Sequence, residues 1–305
     1  MIGPLAIFVA AALGTAPVIA SAIVRHETLR SMAASASKGV LLLANASGGV
    51  LIYSSDIREK NPPLLGTITT GAPRPTGVWV DRHQTLYVVN DDFPNSSISE
   101  YKHGSMKPFR TITAGLSSPQ HVAVGNDGTV YVDDIGIGTI VLTVYAPGST
   151  TPTQTVNVEA QSGGHQAGGL AFDPNGNLLV ATFTEDFGGQ GEVFRIDPKT
   201  FTVSNLNLQS DQGPAIGTDA AGNLYVAQKH VSPHQILVYP PGKTTPSRSL
   251  FNHGYVFGMT VSHNGTVYAP TFQLVTSEFA PGATQPTNEF DPQGGVVDAA
   301  LASSW

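Results

Sequence analysis

The chain lacks cysteine altogether, and this absence excludes several classes of protein. Without thiols, its 305 residues cannot form a disulfide scaffold, ligate an iron–sulfur cluster or build a cysteine-ligated zinc site. Charge is also scarce, because only 12% of the residues are charged and no run of lysine and arginine occurs. With a net charge of -7, we expect no nucleic-acid partner.

The residues that are abundant favour a globular β protein. Hydrophobic residues make up 41% of the chain, which is enough to bury a core and too much for intrinsic disorder. The 33 glycines and 22 prolines are spread evenly along the sequence. This distribution suits many short strands joined by turns better than it suits long helices.

Residues 1–24 carry no charged side chain. Within them, Leu5 to Ala22 resembles the apolar segment of a signal peptide and ends in the small residues Ala20 to Ala22. No basic residue precedes this run, whereas Arg25 and Arg30 follow it, and that order is abnormal for a signal peptide. A retained membrane anchor and an overlong start-codon assignment are the alternatives.

The chain therefore divides into two parts. We predict that residues 1–36 are a signal peptide or an N-terminal anchor, since residues 34–36 offer a second small-residue cleavage site. Residues 37–305 then form a single domain. The protein is expected to be secreted, periplasmic or exposed on the cell surface, with membrane contact only through residues 1–24 where these are retained.

From Lys38 onward one pattern recurs with a period of about 43 to 48 residues. A short apolar strand leads through a tight Asn/Asp/Gly turn to a second apolar strand that contains an aromatic residue. The pattern begins at Val78, Val122, Leu170, Ile216 and Met259. Asn-Gly or Asp-Gly between two apolar runs predicts a β-hairpin. Two further strands complete each repeat, and four antiparallel strands make one propeller blade.

The ends of the repeat region predict how the ring closes. Gly39 to Asn45 reads as a second strand with no first strand before it, whereas Pro292 to Asp298 has the spacing of the inner strand Pro75 to Asp81. We expect residues 294–301 to pair with residues 40–44. The predicted fold is all-β, a six-bladed β-propeller of four-stranded antiparallel blades closed by the C-terminal strand, which completes the first blade and removes exposed sheet edges. We expect a monomer.

The segments Asp219 to Ala227 and Asp173 to Leu178, together with the turn Tyr145 to Gly148, resemble NHL-repeat propellers of the type that bacteria export. The resemblance covers about residues 39–300. It implies a scaffold that serves for protein binding, for lyases and for lactonases, so it does not select an activity. We interpret the chain as a binding module for a protein, peptide or glycan ligand, without catalysis. A metal-dependent lyase, lactonase or other hydrolase at the mouth of the central channel is the alternative.

Two residues differ from their counterparts in the other repeats. One position of the first strand carries Gly77, His121, Gly169, Ala215, Gly258 and Gly294. One position of the second strand carries Ala44, Val89, Asp133, Ala181, Ala227 and Pro270. The tight turn between their strands places His121 nearly opposite Asp133. A carboxylate there raises the pKa of the imidazole and fixes its tautomer, as a catalytic base or a metal ligand requires, although a structural hydrogen bond is equally compatible.

The more variable loops lie on one face of the predicted disc, and we place the ligand site there, around the channel mouth. The residues predicted to bind ligand on this face are Asn90, Asp91, Asp134, His165, Glu185, His230, His253 and Tyr255. In the enzyme alternative, His121, Asp133 and His165 would hold a divalent cation such as Ca²⁺, Zn²⁺ or Mg²⁺. No nucleophile elbow, phosphate-binding loop or dinucleotide fingerprint occurs.

Overall fold

The computed structural model describes residues 39–56, 58–135, 140–158, 165–184, 191–208, 215–228, 232–271 and 275–305. In these residues 24 strands form six four-stranded antiparallel sheets, and no helix is present. A search of the same residues finds no helix long and apolar enough to cross a membrane. The predictions for residues 1–36 fall outside the described residues.

The strands follow one another in the predicted order. Blade 1 contains β1 (Val40–Asn45), β2 (Val50–Ser54) and β3 (Leu64–Ile68). Blade 2 contains β4 (Pro75–Val80), β5 (Leu86–Asn90), β6 (Ser97–Tyr101) and β7 (Arg110–Ile112). Blade 3 contains β8 (Pro119–Val124), β9 (Val130–Ile135), β10 (Ile140–Tyr145) and β11 (Gln154–Asn157).

Blade 4 contains β12 (His165–Phe172), β13 (Leu178–Thr184), β14 (Glu192–Ile196) and β15 (Val203–Asn205). Blade 5 contains β16 (Ile216–Thr218), β17 (Leu224–Ala227), β18 (His234–Tyr239) and β19 (Arg248–Asn252). Blade 6 contains β20 (Thr260–Val261), β21 (Val267–Pro270), β22 (Thr276–Phe279) and β23 (Asn288–Phe290).

The last strand, β24 (Val296–Ala302), completes blade 1 as its innermost strand, so the sheet order is β24-β1-β2-β3. The predicted six-bladed fold and its closure by the C-terminal strand are therefore confirmed. Within the pair, Val40 lies opposite Ala302 and Ala44 lies opposite Asp298. Both ends of the domain thus contribute strands to a single blade, and the inner edge of β1 is paired.

One detail of the predicted closure is wrong, because β24 begins later than its spacing indicates. Gly294 lies in the loop before the strand, where a side-chain carbon would approach the Asn45 amide nitrogen to 2.7 Å. The residue that stands opposite Ala44 is Asp298, four positions further along the chain. The Pro-x-Gly spacing that aligned Gly294 with Gly77 belongs here to a loop.

The core lies between the blades. Most residues of the inner and second strands are buried on both faces, because each blade is packed between two neighbours. The tyrosines that recur on the second strands are buried in these interfaces: Tyr87, Tyr131, Tyr225 and Tyr268. Hydroxyl groups add fixed contacts between blades, since Tyr101 donates to the carbonyl of Thr70 and Tyr145 donates to that of Ala114, both at 2.8 Å.

The tight turns between first and second strands are held by aspartate side chains. Asp173 accepts hydrogen bonds from the backbone N–H groups of Asn175 and Asn177, each at 2.9 Å. Gly128 of blade 3 has a φ of 89°, a conformation that favours glycine. These turns lie on one face of the disc, so the inner strands run from the loop-bearing face to the tight-turn face.

Candidate functional site

One residue in or just before the inner strand of each blade forms a ring around the axis. Its members are Gly77, His121, Gly169, Ala215, Gly258 and Asp298. The strands approach closely here, since a side-chain carbon on Gly77 would lie 2.9 Å from the Cα of His121, and one on Gly258 would lie 2.7 Å from the Cα of Asp298. Crowding explains Gly77 and Gly258, whereas Gly169 has a φ of 110°, a conformation that favours glycine. His121 and Asp298 are the two members of the ring that are not small.

His121 and Asp133 are cross-strand neighbours, as predicted, and their side chains are hydrogen-bonded. The Nδ1 atom of His121 lies 2.9 Å from Oδ2 of Asp133, and the backbone N–H of His121 donates to Oδ1 of the same carboxylate. Because an ionised carboxylate can only accept, Nδ1 carries a proton. The other ring nitrogen, Nε2, is not engaged by Asp133. The pairing is confirmed, whereas a catalytic role stays a prediction.

Nearby negative charges and burial have opposite effects on the pKa of His121. Burial disfavours the imidazolium, but the charge of Asp133, its hydrogen bond and the charge of Asp298 outweigh that effect and raise the pKa of His121. Asp298 accepts a hydrogen bond from the backbone N–H of Val78 at 2.9 Å. Burial raises the pKa of Asp298 to about 6, although the nearby His121 and this hydrogen bond act in the opposite direction.

A cavity of about 350 Å³ occupies the channel below the ring. It begins at His121 and Asp298 and follows the inner strands to Ser262 and His263, where the tight turn of blade 6 starts. Its walls are mostly apolar and include Val78, Trp79, Leu170, Phe172, Ile216 and Met259. This volume suits a small ligand. The cavity reaches toward the tight-turn face, whereas the sequence led us to expect the site on the loop-bearing face.

Two of the predicted ligand-binding residues hold backbone in place. Asn90 is fully buried, and its amide donates to the carbonyl of Gly71 at 3.0 Å. Asp134 is buried, and its carboxylate accepts the N–H groups of Ser117 and Ser118 at 2.6 and 2.7 Å. Burial raises the pKa of Asp134. These contacts attach each second strand to the loop that precedes its blade.

The other predicted residues that the structure describes, Asp91, His253 and Tyr255, are not brought together. Asp91 is partly buried and accepts hydrogen bonds from Ser118 and Gln120 at 3.2 and 3.3 Å. His253 is exposed and lies 2.8 Å from the carboxylate of Glu289, on the outermost strand of blade 6.

Tyr255 packs its ring against that of Phe257, with 4.4 Å between the ring centroids. Neither Tyr255 nor His253 lines the channel cavity. His165 begins β12, but its side chain lies outside the described part of the chain, as do Glu185 and His230.

The three predicted metal ligands cannot be assessed as one metal centre, because the side chain of His165 lies outside the described part of the chain. Among the residues that the structure describes, no three His, Asp or Glu side chains are grouped so that they could hold a metal ion. Both carboxylate oxygens of Asp133 are already bonded to His121. A divalent cation held by His121, Asp133 and His165 therefore stays a prediction that these contacts do not support.

Sequence reasoning missed Asp298 as a channel residue. A signal was present, because Asp298-Ala299-Ala300-Leu301 aligns with His121 to Val124 without a gap when the apolar residues rather than the Pro and Gly residues are matched. The strand pairing selects this second alignment, since Ala44 lies opposite Asp298 as Asp133 lies opposite His121.

Comparisons with known proteins identify the fold alone. No family model matches the chain, and no curated protein matches its sequence. A chain from the crystal structure of a nidogen/laminin complex is similar, with a TM-score of 0.68 and 15% identity over 88% of this chain and 100% of that one. A chain of Kuenenia stuttgartiensis hydrazine synthase has a TM-score of 0.56 and 15% identity over 81% of this chain and 74% of its own length. The resemblance to NHL-repeat propellers stays a prediction.

Proposed function

We propose that the protein is a binding module that takes a small ligand into the channel between its blades, without chemistry of its own. One observation carries the proposal: His121 and Asp298 stand where the other four blades have glycine or alanine, and both line a cavity of about 350 Å³. Ionisable side chains are costly to bury. Two of them in the wall of one cavity therefore mark a candidate ligand site.

A thermal-shift screen with small-molecule fragments tests this proposal. A compound that binds only the folded protein raises the melting temperature by mass action. Thr260 lines the cavity, so the substitution Thr260→Phe would fill part of it and should abolish the shifts. Thr151→Phe, on an exposed turn, is the matched control and should leave them unchanged. Hits that bind equally well to the Thr260→Phe variant would contradict a channel site.

Catalysis is the second candidate, because an imidazole whose Nδ1 is held by a carboxylate is the arrangement that general-base catalysis uses. An enzyme would convert the compounds that it binds, and the His121→Gly variant would lose turnover. Mass spectrometry of each hit after incubation with the wild type detects conversion. A metal-dependent reaction would in addition make the melting temperature sensitive to a chelator.

A protein, peptide or glycan ligand on the loop-bearing face also has support. Phe93, in the loop between β5 and β6, is 77% exposed, and large exposed aromatic side chains are common in binding surfaces. A propeller of similar fold comes from a structure of a nidogen/laminin complex, which is an assembly of proteins. Peptide and glycan arrays probed with the wild type and with Phe93→Ser test this ligand. Equal signals from both proteins would exclude Phe93 from the binding surface.

A further inference from the structure

We infer that the ligand of the channel is an organic cation, an amine or ammonium compound whose charged group lies beside Asp298 and His121. This inference rests on the proposed function, since it names the class of ligand that the same cavity takes. Four features of the site support it: its excess negative charge, the burial of its carboxylates, the presence of two acceptors in one cavity, and the apolar cavity walls.

The charges at the ring do not balance. Asp133 and Asp298 are two carboxylates whose charges both act on His121, and among the described residues His121 is the one base that acts on Asp298. Asp133 holds this imidazole through Nδ1 at 2.9 Å. No lysine or arginine is among the described residues that line the cavity. Even with His121 protonated, one negative charge remains without a positive partner among the side chains that the structure describes.

Burial makes that excess charge costly. Asp133 is fully buried and Asp298 is only 8% exposed. A buried carboxylate without a cation tends to take up a proton, and burial does raise the pKa of Asp298. The backbone N–H groups of Val78 and Ala299 stabilise its carboxylate but bring no charge. A ligand cation would supply both the missing charge and a charge-assisted hydrogen bond.

Asp298 and His121 line the same cavity. In the order of the blades, Asp298 stands between Gly258 and Gly77, and His121 follows Gly77. Gly77 contributes no side chain between them, although its backbone lies close to that of blade 3. A ligand nitrogen with two or more N–H groups has acceptors there in Asp298 and, when the imidazole is neutral, in Nε2 of His121.

The walls of the cavity suit an apolar body attached to the charged group. The rings of Trp79 and Phe172 meet edge to face with their centroids 6.0 Å apart, and both residues line the cavity. Met259 and Leu170 add further apolar surface. Aromatic faces attract cations, and apolar walls favour a hydrophobic ligand body. An arylalkylamine matches this combination of charge and surface.

Calorimetric titration with three probes of matched shape tests the inference. Phenethylamine is the cation, 2-phenylethanol is its neutral counterpart and phenylacetate is the anion. We expect phenethylamine to bind at least about tenfold more tightly than 2-phenylethanol at pH 7.5, as a charge-assisted contact implies. The Asp298→Asn variant keeps an acceptor for Val78 and should remove this preference. Asp127→Asn, which deletes the same charge on an exposed turn, should retain it.

The outcomes separate this inference from the proposed function. Equal binding of the amine and the alcohol, or tighter binding of phenylacetate, would overturn the cation and leave the channel site in place. A preference for the amine that persists in Asp298→Asn would likewise overturn the role of Asp298. If no probe binds to the wild type, and the fragment screen finds no compound sensitive to Thr260→Phe, the inference and the proposed function are both overturned.

Discussion

The third strands of blades 2 and 6 each bury a glutamate opposite a tyrosine, but only one of the two has a cationic partner among the described residues. Glu100 receives Arg110, with 2.7 Å between Oε2 and Nη2. Oε2 of Glu278 accepts a hydrogen bond from the side-chain amide of Asn288 at 2.8 Å, and Oε1 is buried without a hydrogen-bond partner among the described residues. Burial, together with the charges of acidic neighbours such as Glu59, raises the pKa of Glu278 to about 7.

This difference predicts an effect of pH on stability. Folded Glu278 keeps its proton up to about pH 7, whereas an exposed glutamate releases it near pH 4.5, so stability falls as the pH rises between these values. The rise in pKa corresponds to roughly 3 kcal/mol. Glu278→Gln mimics the protonated form, so we expect it to raise the free energy of unfolding at pH 8 by about 2 to 3 kcal/mol and to change little at pH 4.5. Denaturant unfolding at both pH values measures this.

Glu100→Gln is the matched control for that variant. Burial raises the pKa of Glu100 as well, although its hydrogen bond to Arg110 and the charge of Arg110 act in the opposite direction. Glu100→Gln also leaves the mostly buried Arg110 without its negative partner, and we expect this cost to dominate and to lower stability by about 1 to 3 kcal/mol at pH 8. The two substitutions are chemically identical and occupy the same strand position. A gain in the free energy of unfolding for Glu278→Gln and a loss for Glu100→Gln would therefore isolate the effect of Arg110. A loss of stability in both variants would contradict the protonated state of Glu278.

A second prediction concerns the His121–Asp133 pair. His121→Gly leaves a buried carboxylate without its side-chain donor, so we expect a loss of about 1 to 3 kcal/mol in the free energy of unfolding. Adding Asp133→Val reproduces the Gly77 and Val89 pair of blade 2 and should restore most of that loss. A double-mutant cycle measures the coupling. If the single variant is as stable as the wild type, the pair does not stabilise the fold.

At the scale of strands, the local patterns predict most of the structure. The turn from Asn126 to Gly128 forms as its sequence indicates, because Gly128 adopts a positive φ that most other residues avoid. The same hairpin fixes His121 opposite Asp133, so that contact was predictable from two neighbouring strands. Apolar residues on both faces of the second strands, as in Leu41 to Leu43, correctly indicate burial between blades.

The features that escaped prediction depend on distant parts of the chain. The register of β24 is set by its pairing with β1, more than 250 residues away in sequence. The residues around Gly294 lie in a loop, although their Pro and Gly residues have the same spacing as those of an inner strand. Asp298 therefore escaped notice as a channel residue. Asn90 and Asp134 read as surface polar residues, yet they are buried because loops from preceding segments fold over them. Local sequence does not encode those contacts.

The closing strand gives an element-scale prediction. Deleting residues 294–305 exposes the inner edge of β1 and the apolar side chains Leu41 and Leu43, which are fully buried in the complete blade. We expect the truncated protein to aggregate or to unfold without cooperativity. Size-exclusion chromatography and thermal melting test this. A synthetic peptide of residues 294–305 should restore the elution volume and the melting transition of the untruncated protein, whereas a truncated protein with an unchanged melting curve would refute the closure.

At the scale of the whole molecule, the shared blade is what makes the ring difficult to open. The chain itself crosses all six junctions between blades, because β23 of blade 6 continues into β24 of blade 1, and the hydrogen-bonded ladder between β24 and β1 joins the two ends of the domain. The ring therefore cannot separate at any point without breaking either this ladder or a packed interface held by a covalent loop. This arrangement favours a single cooperative unfolding transition.

Two circular permutants of residues 39–305 test that interpretation. In both, a flexible linker of about eight residues joins Trp305 to Gly39, a span that is practicable because Gly39 lies beside Ala302 and Ser303. One permutant opens between Pro73 and Arg74, so every blade is continuous in sequence and blades 1 and 2 are held together by packing alone. The other opens in the tight turn between residues 126 and 128, so blade 3 becomes the shared blade.

We expect the permutant with a shared blade to melt close to the unpermuted domain. The permutant without a shared blade should melt at least about 5 °C lower, because its blade 1–blade 2 junction can open without breaking a strand ladder. In that protein no backbone hydrogen bonds at the junction offset the entropy that is lost when the ring closes. The linker is identical in the two proteins and so cannot cause a difference between them. Scanning calorimetry measures both transitions. Equal melting temperatures would show that blade packing alone stabilises the ring, and that the shared blade adds no measurable stability.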